Sequence, residues 1–516
     1  MKPKVYRRKL FWASTLSIVG VVGFVLFYQL MPPIGNLSLN QQPSKPKPPN
    51  NAPPLVSFTD ATLDMAIQFV HEQGEDQLSG IDESLGSGVC AFDYDGDGWT
   101  DLFLVNGSGH THYYGKHYWW QDTTAPALLK NMDGKVFEDV TKKAGLVKEN
   151  WGMGCLTADF DNDGDPDLFL TNLGGNQLYR NEGNGRFTDI TQDSGIVGDI
   201  WSTSAVAADI NGDGLLDIYV GNYIKFNKGT KTFESGSQFA PEKPPTFDAS
   251  LYDAQPNQLY LNLGGLKFRE MASEAGVAVV DGRTLDVHSQ DINADGKPDL
   301  LVTNDRGTGS NMAFLNLDGL HFQASNTAFR LQSPRGSRGI ASGDLDNDGD
   351  DDLIIANPPG ESLALLIRGT TTSLQNSNPA TSPIQFADLS RKLGVGNSEY
   401  SNLSGWTPGV QDFNNDGSLD LFLASGHLEP DPDTHRVSEG QHKQLWLNRG
   451  DGSFVDATAT AGKSLLDNQS ARGAVFADFD NDGDMDAYVA HNNDLGQFLR
   501  NDTPNSRHWL ELQLIG

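Results

Sequence analysis

Cysteine is scarce in this chain: there are two in 516 residues, Cys90 and Cys155. That excludes a disulfide framework and a four-cysteine zinc site, and each reads as a small buried hydrophobe. Basic residues are also few, with 37 Lys and Arg against 68 Asp and Glu and a net charge of −31. A nucleic-acid partner needs a basic footprint, so none is expected. The hydrophobic share, 37%, is low for one compact core. Catalytic signatures are missing: there is no G-x-S-x-G, no H-E-x-x-H and no Walker loop. The 11 histidines are scattered, and His288, His427 and His491 do not align into one site. No enzymatic activity is expected.

Acid and glycine are what the chain has in excess. An acidic protein suits hard cations or an exported, highly soluble body. The 56 glycines follow no collagen period. The N-terminus is different in kind. Lys2, Lys4, Arg7, Arg8 and Lys9 precede an uncharged run over residues 10–31. About 20 apolar residues at ~1.5 Å rise match a ~30 Å hydrocarbon core, and Trp12 and Tyr28 lie near its ends. A cleaved signal peptide is the rival, but Tyr28-Gln29-Leu30-Met31-Pro32-Pro33 is a poor cleavage site. The expectation is a cytoplasmic stub (1–9), a transmembrane signal anchor (10–31) and a single-pass protein whose body is periplasmic or extracellular. Residues 32–55, rich in Pro, Asn, Ser and Lys, predict a semi-extended stalk.

The rest of the chain repeats one pattern, D-x-[DN]-x-D-G-x-x-D, seven times. Calcium takes six to eight hard oxygens, and alternate residues of a tight loop point inward with glycine at the turn. The candidate ligands at positions 1, 3, 5 and 9 are therefore Asp93, Asp95, Asp97 and Asp101; Asp159, Asp161, Asp163 and Asp167; Asp209, Asn211, Asp213 and Asp217; Asp291, Asn293, Asp295 and Asp299; Asp344, Asp346, Asp348 and Asp352; Asp412, Asn414, Asp416 and Asp420; and Asp478, Asp480, Asp482 and Asp486. Up to seven Ca²⁺ are expected. Plain turns also favour Asp, Asn and Gly, but a turn does not need converging carboxylates, which repel without a cation. EF-hands are excluded: position 12 is aliphatic in all seven copies, where that loop needs a bidentate Glu.

Position 9 opens a strand, as in Asp-Leu-Phe-Leu from Asp101. A second element follows each loop. Gln177-Leu-Tyr-Arg-Asn181 leads through Gly183-Asn-Gly185 to Phe187-Thr-Asp-Ile-Thr191, a hairpin pattern. Four strands per repeat predict an all-β, seven-bladed β-propeller over residues 56–501. The fourth strand opens at Phe137, Phe187, Phe268, Phe322, Phe386 and Phe454, and at Phe58 before the first loop. Phe58 is therefore expected to complete the last blade and remove its open edge. Long insertions fall near residues 107–126, rich in His, Tyr and Trp, and 224–257. The first reads either as a partner or glycan platform or as a loop packing its aromatics on a blade.

These repeats resemble the FG-GAP/VCBS type found in integrin α-subunit propellers. Phe137-Glu-Asp-Val-Thr141 with Ala144-Gly145-Leu146, Ser425-Gly426-His427 and Arg472-Gly473-Ala-Val-Phe-Ala-Asp478 are similar to segments of the cartilage acidic protein family. Residues 502–516 resemble the start of that family's ASPIC/UnbV domain, here truncated at Gly516. The resemblance implies a calcium-binding propeller outside the cell, in adhesion or protein interaction, binding a protein or glycan. The alternative is a carbohydrate-binding lectin or a polysaccharide-active enzyme using the propeller face.

Overall fold

The computed structural model describes residues 56–504, apart from 73–80, 108–110, 115–116, 121–124, 148–150, 227–247, 306–309, 326–335, 362, 370–385, 397–401 and 428–439. The chain divides into two units, Met1–Lys47 and Pro48–Gly516, and every described residue belongs to the second. The expected stub, anchor, stalk and the segment from 505 onward lie outside the described residues. The expected localisation is corrected: among the described residues no helix is long and apolar enough to cross a membrane, so single-pass anchoring is not supported.

The fold is all-β, built from repeating antiparallel sheets consistent with a β-propeller. The first set orders Val89–Phe92, Asp101–Leu104, Ala127–Met132 and Val136–Asp139 side by side. Six further four-stranded sets follow the same order, each with its acidic loop between first and second strands. The second and third sets merge into one eight-stranded sheet, because Asp167–Gly174 runs on to pair with Ile200 and Trp201. In the last set Phe58–Asp60 pairs with Gln497–Asn501, with Phe58 opposite Asn501. The strand expected to complete that sheet does so.

The second strands are buried at every residue. An antiparallel sheet with one wet face would alternate instead. Here each sheet packs between two others, so both faces are dry. One apolar cluster joins each consecutive pair of sets. Tyr94, Phe103 and Leu168 belong to the cluster of sets one and two, and Leu102, Phe479 and Phe498 to the cluster of the seventh set and the first. The phenylalanine opening each fourth strand lies against position 2 of the preceding acidic loop: Phe137 on Phe479 at 6.1 Å, Phe58 on Phe413 at 5.7 Å and Phe268 on Phe160 at 6.0 Å between ring centroids. Burying one such ring stabilises the fold by about 1.5–3 kcal/mol, which is why position 2 is always apolar within an otherwise polar loop.

The F-x-D-x-T segment has a local cause as well. Asp139 Oδ1 accepts from the Thr141 N–H at 3.0 Å and from its hydroxyl at 2.5 Å. Thr141 Oγ1 then accepts the Leu128 N–H of the neighbouring strand at 2.8 Å. This turns the chain into the single helical turn Thr141–Ala144, which ends on Gly145 at φ 87°. The same bonds recur at Asp60/Thr62, Asp189/Thr191, Asp388/Ser390 and Asp456/Thr458.

The reading of the cysteines is also corrected. Cys90 and Cys155 form a disulfide. They lie on the first strands of sets one and two, which face each other with Cα atoms 6.1 Å apart, within bridging range.

The insertion at 107–126 contains the hairpin Thr111–Tyr114 and His117–Trp120, with Tyr113 opposite Tyr118. Most of the 224–257 insertion lies outside the described residues.

Candidate metal centres

The seven acidic loops share one backbone. Position 1 shapes it: Asp93 Oδ1 accepts the Asp97 N–H at 3.1 Å and Oδ2 accepts the Gly98 N–H at 2.7 Å. The Oδ2 bond to the position-6 glycine recurs in the other six loops. That glycine has φ between 84° and 98° in every copy, a region side chains avoid. Position 4 is also left-handed throughout, and there the chain uses Gly, Asn or Ala.

Position 9 is buried in all seven loops. Its Oδ2 accepts the position-2 N–H, as in Asp101 with Tyr94 at 3.0 Å. Its Oδ1 accepts an N–H from the end of the third strand: Asn131, Asn181, Asn262, Asn316, Arg368, Asn448 or Asn501. Burial pushes these carboxyls up, to about 7 for Asp101, Asp167, Asp299 and Asp352, and to about 8 for Asp420 and Asp486. Position 9 thus ties the loop to the sheet, a role beyond the ligand role expected of it.

The third-strand asparagines escaped the sequence reading. Their Nδ2 donates to the position-2 carbonyl of the preceding loop: Asn181 to Tyr94 O at 2.9 Å, and Asn131 to Phe479 O at 2.8 Å across 348 residues. The available signal was an Asn closing the third strand in six of seven repeats, with Arg368 in the fifth.

Position 3 is where the loops differ. In the three loops with Asn there, its Oδ1 accepts the position-5 N–H. In the four with Asp, one buried oxygen has no hydrogen-bond partner: Oδ1 of Asp95, Asp161, Asp346 and Asp480. Burial, then neighbouring carboxylates, pushes Asp161 and Asp346 up and Asp480 to about 6. A buried carboxylate oxygen without a donor costs free energy unless a cation answers it. These are also the loops whose acids converge. Ligand oxygens of Asp93, Asp95 and Asp101, of Asp159, Asp161 and Asp167, of Asp344, Asp346 and Asp348, and of Asp478, Asp480 and Asp486 lie within 4.8 Å of one another and could hold a metal ion. Position 5 joins this group only in the fifth loop; in every loop its Oδ1 accepts the position-7 N–H. The loops at Asp209, Asp291 and Asp412 bring no such group together among the described residues. The first loop holds an internal cation, since Lys130 Nζ pairs with Asp95 and lies 2.7 Å from Asp97.

The histidines do not assemble. His288 Nε2 meets Ser342 Oγ at 3.0 Å, His427 meets Gln441, and His491 Nδ1 meets Leu495 O. Among the described residues no histidine joins a metal-binding group.

The fold and these loops define a class, and comparison with known proteins names it. The FG-GAP-like repeat family matches residues 93–170, 159–220, 291–355 and 412–489, and the chain belongs to it. Human cartilage acidic protein 1 is 24% identical over 269 residues, covering 51% of this chain and 37% of that protein. The Xenopus tropicalis protein of the same name is 28% identical over 214 residues, covering 41% and 31%. The resemblance to that family is borne out, and the matched region spans about a third of these relatives. Among solved structures, an Agrocybe aegerita lectin described as recognising non-reducing terminal N-acetylglucosamine aligns over 80% of this chain and 87% of its own, with TM-score 0.41 and 14% identity.

Proposed function

We propose that the chain is a seven-bladed, calcium-built propeller that serves as an extracytoplasmic interaction module for a protein or glycan and carries no catalytic site. Ring closure is supported by the Asn131 to Phe479 hydrogen bond and the apolar cluster joining the seventh set to the first. The Cys90–Cys155 bond suits an oxidising compartment.

The observation that carries the calcium reading is the set of four unanswered position-3 oxygens. Asp at positions 1, 3 and 9 would hold the ion in the first, second and seventh loops and Asp at positions 1, 3 and 5 in the fifth, with water completing the hard-oxygen shell. Where position 3 is Asn211, Asn293 or Asn414, the amide oxygen takes the same place with one charge fewer. Calcium supplies charge neutralisation and cross-linking of the loop, and the protein residues keep the turn in shape. In this reading the partner surface is the 107–126 insertion, chosen because its sequence is rich in His, Tyr and Trp.

The test is thermal unfolding of the full chain in EDTA and across a calcium titration, with metal analysis. At ~1 mM calcium and a Kd of ~0.1 mM, each site adds about 1.4 kcal/mol. A rise of many degrees with several ions bound is expected. No shift and no bound metal would reduce the loops to plain turns.

A further inference from the structure

The residue just before each third-strand asparagine changes with the acidic loop it follows. It is Lys130, Arg180 and Arg500 after the first, second and seventh loops, which have Asp at position 3. It is Leu261, Leu315 and Leu447 after the three loops with Asn there. The fifth loop has Ile367 at that place and its basic residue one position on, Arg368, which pairs with Asp350 at 3.3 Å. A positive side chain thus accompanies each loop with Asp at position 3, and a leucine each loop with Asn.

The three matching basic side chains do not point alike. Arg180 donates to Glu182 at 2.6 and 3.0 Å, and Arg500 to Asp502 at 2.7 Å, carboxylates two residues further along the chain. Lys130 turns onto the loop. Its Nζ pairs with Asp95 Oδ2 and lies 2.7 Å from Asp97 Oδ2, although the exposed Glu138 stands opposite it across the strand pair. The Lys130 and Asp95 side chains are mostly out of water, 19% and 18% exposed, which strengthens their attraction. The Tyr94 ring flanks the ammonium, 5.8 Å from its centroid. Lys297 of the fourth loop reaches one loop carboxylate, Asp295 at 3.3 Å, from an exposed position; Lys130 bridges two.

This placement acts on the ligand set. Asp97 Oδ1 accepts the Trp99 N–H at 3.0 Å, so both oxygens of position 5 are engaged. Asp95 Oδ1 stays unanswered. Lys130 therefore leaves the group Asp93, Asp95 and Asp101 open, while it offsets one of their charges and holds position 5 aside. We infer that Lys130 is a tethered counter-cation that lowers the affinity of the first loop for calcium. The inference rests on the calcium reading of that loop and names the residue that tunes it.

Trp99, at position 7, is the one tryptophan within the seven loops, so terbium bound at the first loop is sensitised through it. The experiment titrates the full chain with terbium, displaces the terbium with calcium, and reads the luminescence excited through tryptophan. Trp99→Leu assigns the signal by removing it. Lys130→Met keeps the stem and removes the charge, and should raise the calcium affinity read by this signal at least about tenfold, the order expected of one unit charge close to the ion. Lys130→Gln should act in the same direction and covers the case in which the first variant does not fold. Unchanged or weaker calcium affinity in a folded variant overturns the inference and leaves the calcium reading standing. No Trp99-dependent signal, or one that calcium does not displace, in wild type and variants alike overturns the calcium reading of this loop and the inference with it.

Discussion

Two aspartates of one loop do different work, and substitution separates them. Asp167 holds two buried N–H groups, those of Phe160 and Asn181. Leaving each unpaired costs about 1–3 kcal/mol, so Asp167→Ala should destabilise the chain by several kcal/mol with or without calcium. Asp161 holds an oxygen that nothing in the protein answers. Asp161→Asn should leave stability in EDTA unchanged or slightly raised, and lower the calcium-dependent part by less than the about 1.4 kcal/mol of a whole site. Urea unfolding in both conditions checks the pair; a large loss for Asp161→Asn in EDTA would make it a structural residue. His71 gives a residue-scale pH response. Its Nδ1 donates to Val105 O at 2.9 Å, and its Nε2 accepts the Ser87 N–H at 3.1 Å. A second proton would face that N–H, and burial holds the pKa at about 4, below the ordinary 6.5. A depressed histidine contributes stability that is present above pH 6.5 and lost as pH falls towards 4. Between pH 7.5 and 4.5 wild type should lose about 2 kcal/mol more than His71→Gln, read as unfolding free energy. The candidate ligands were legible because they lie within nine residues of one another. The asparagine braces and the disulfide were not, because each is made by residues from different repeats.

At the scale of the element, the helical turn that follows five of the fourth strands among the described residues is the part most exposed to a backbone change. Gly195 ends one such turn at φ 91°, and a Cβ there would meet Phe268 O at 2.3 Å. The left-handed backbone alone costs an alanine about 1 kcal/mol, and the carbonyl cannot move without disturbing the next strand. Gly195→Ala should therefore lower stability by more than that, without changing the number of ions bound; an unchanged melting temperature would contradict the close packing of sets two and three. The fourth strands and their phenylalanines were legible from a recurring F-x-D segment. Fusion of the second and third sets was not, since it depends on Asp167–Gly174 being at least two residues longer than every other second strand.

In the whole molecule, one covalent bond adds to the apolar clusters and asparagine braces that join neighbouring sets. The Cys90–Cys155 bond closes a separation of 65 residues, worth roughly 4 kcal/mol on chain-entropy grounds. Replacing both cysteines by serine should lower stability by about that amount while calcium binding persists; full stability in the double variant would show the neighbouring sheets need no tie. Propeller architecture was legible because a loop repeated seven times cannot bury its strands alone. The pairing of Phe58–Asp60 with Gln497–Asn501 has a further consequence, in the order of synthesis. Among the described strands, the first to leave the ribosome is the last to find its partner. At 5–20 residues per second, about 440 intervening residues take roughly 20–90 s to emerge. Throughout that time the newborn chain carries an unpaired strand at one end and an unfinished sheet at the other, so any factor that escorts it has to shield Phe58 until Asn501 arrives.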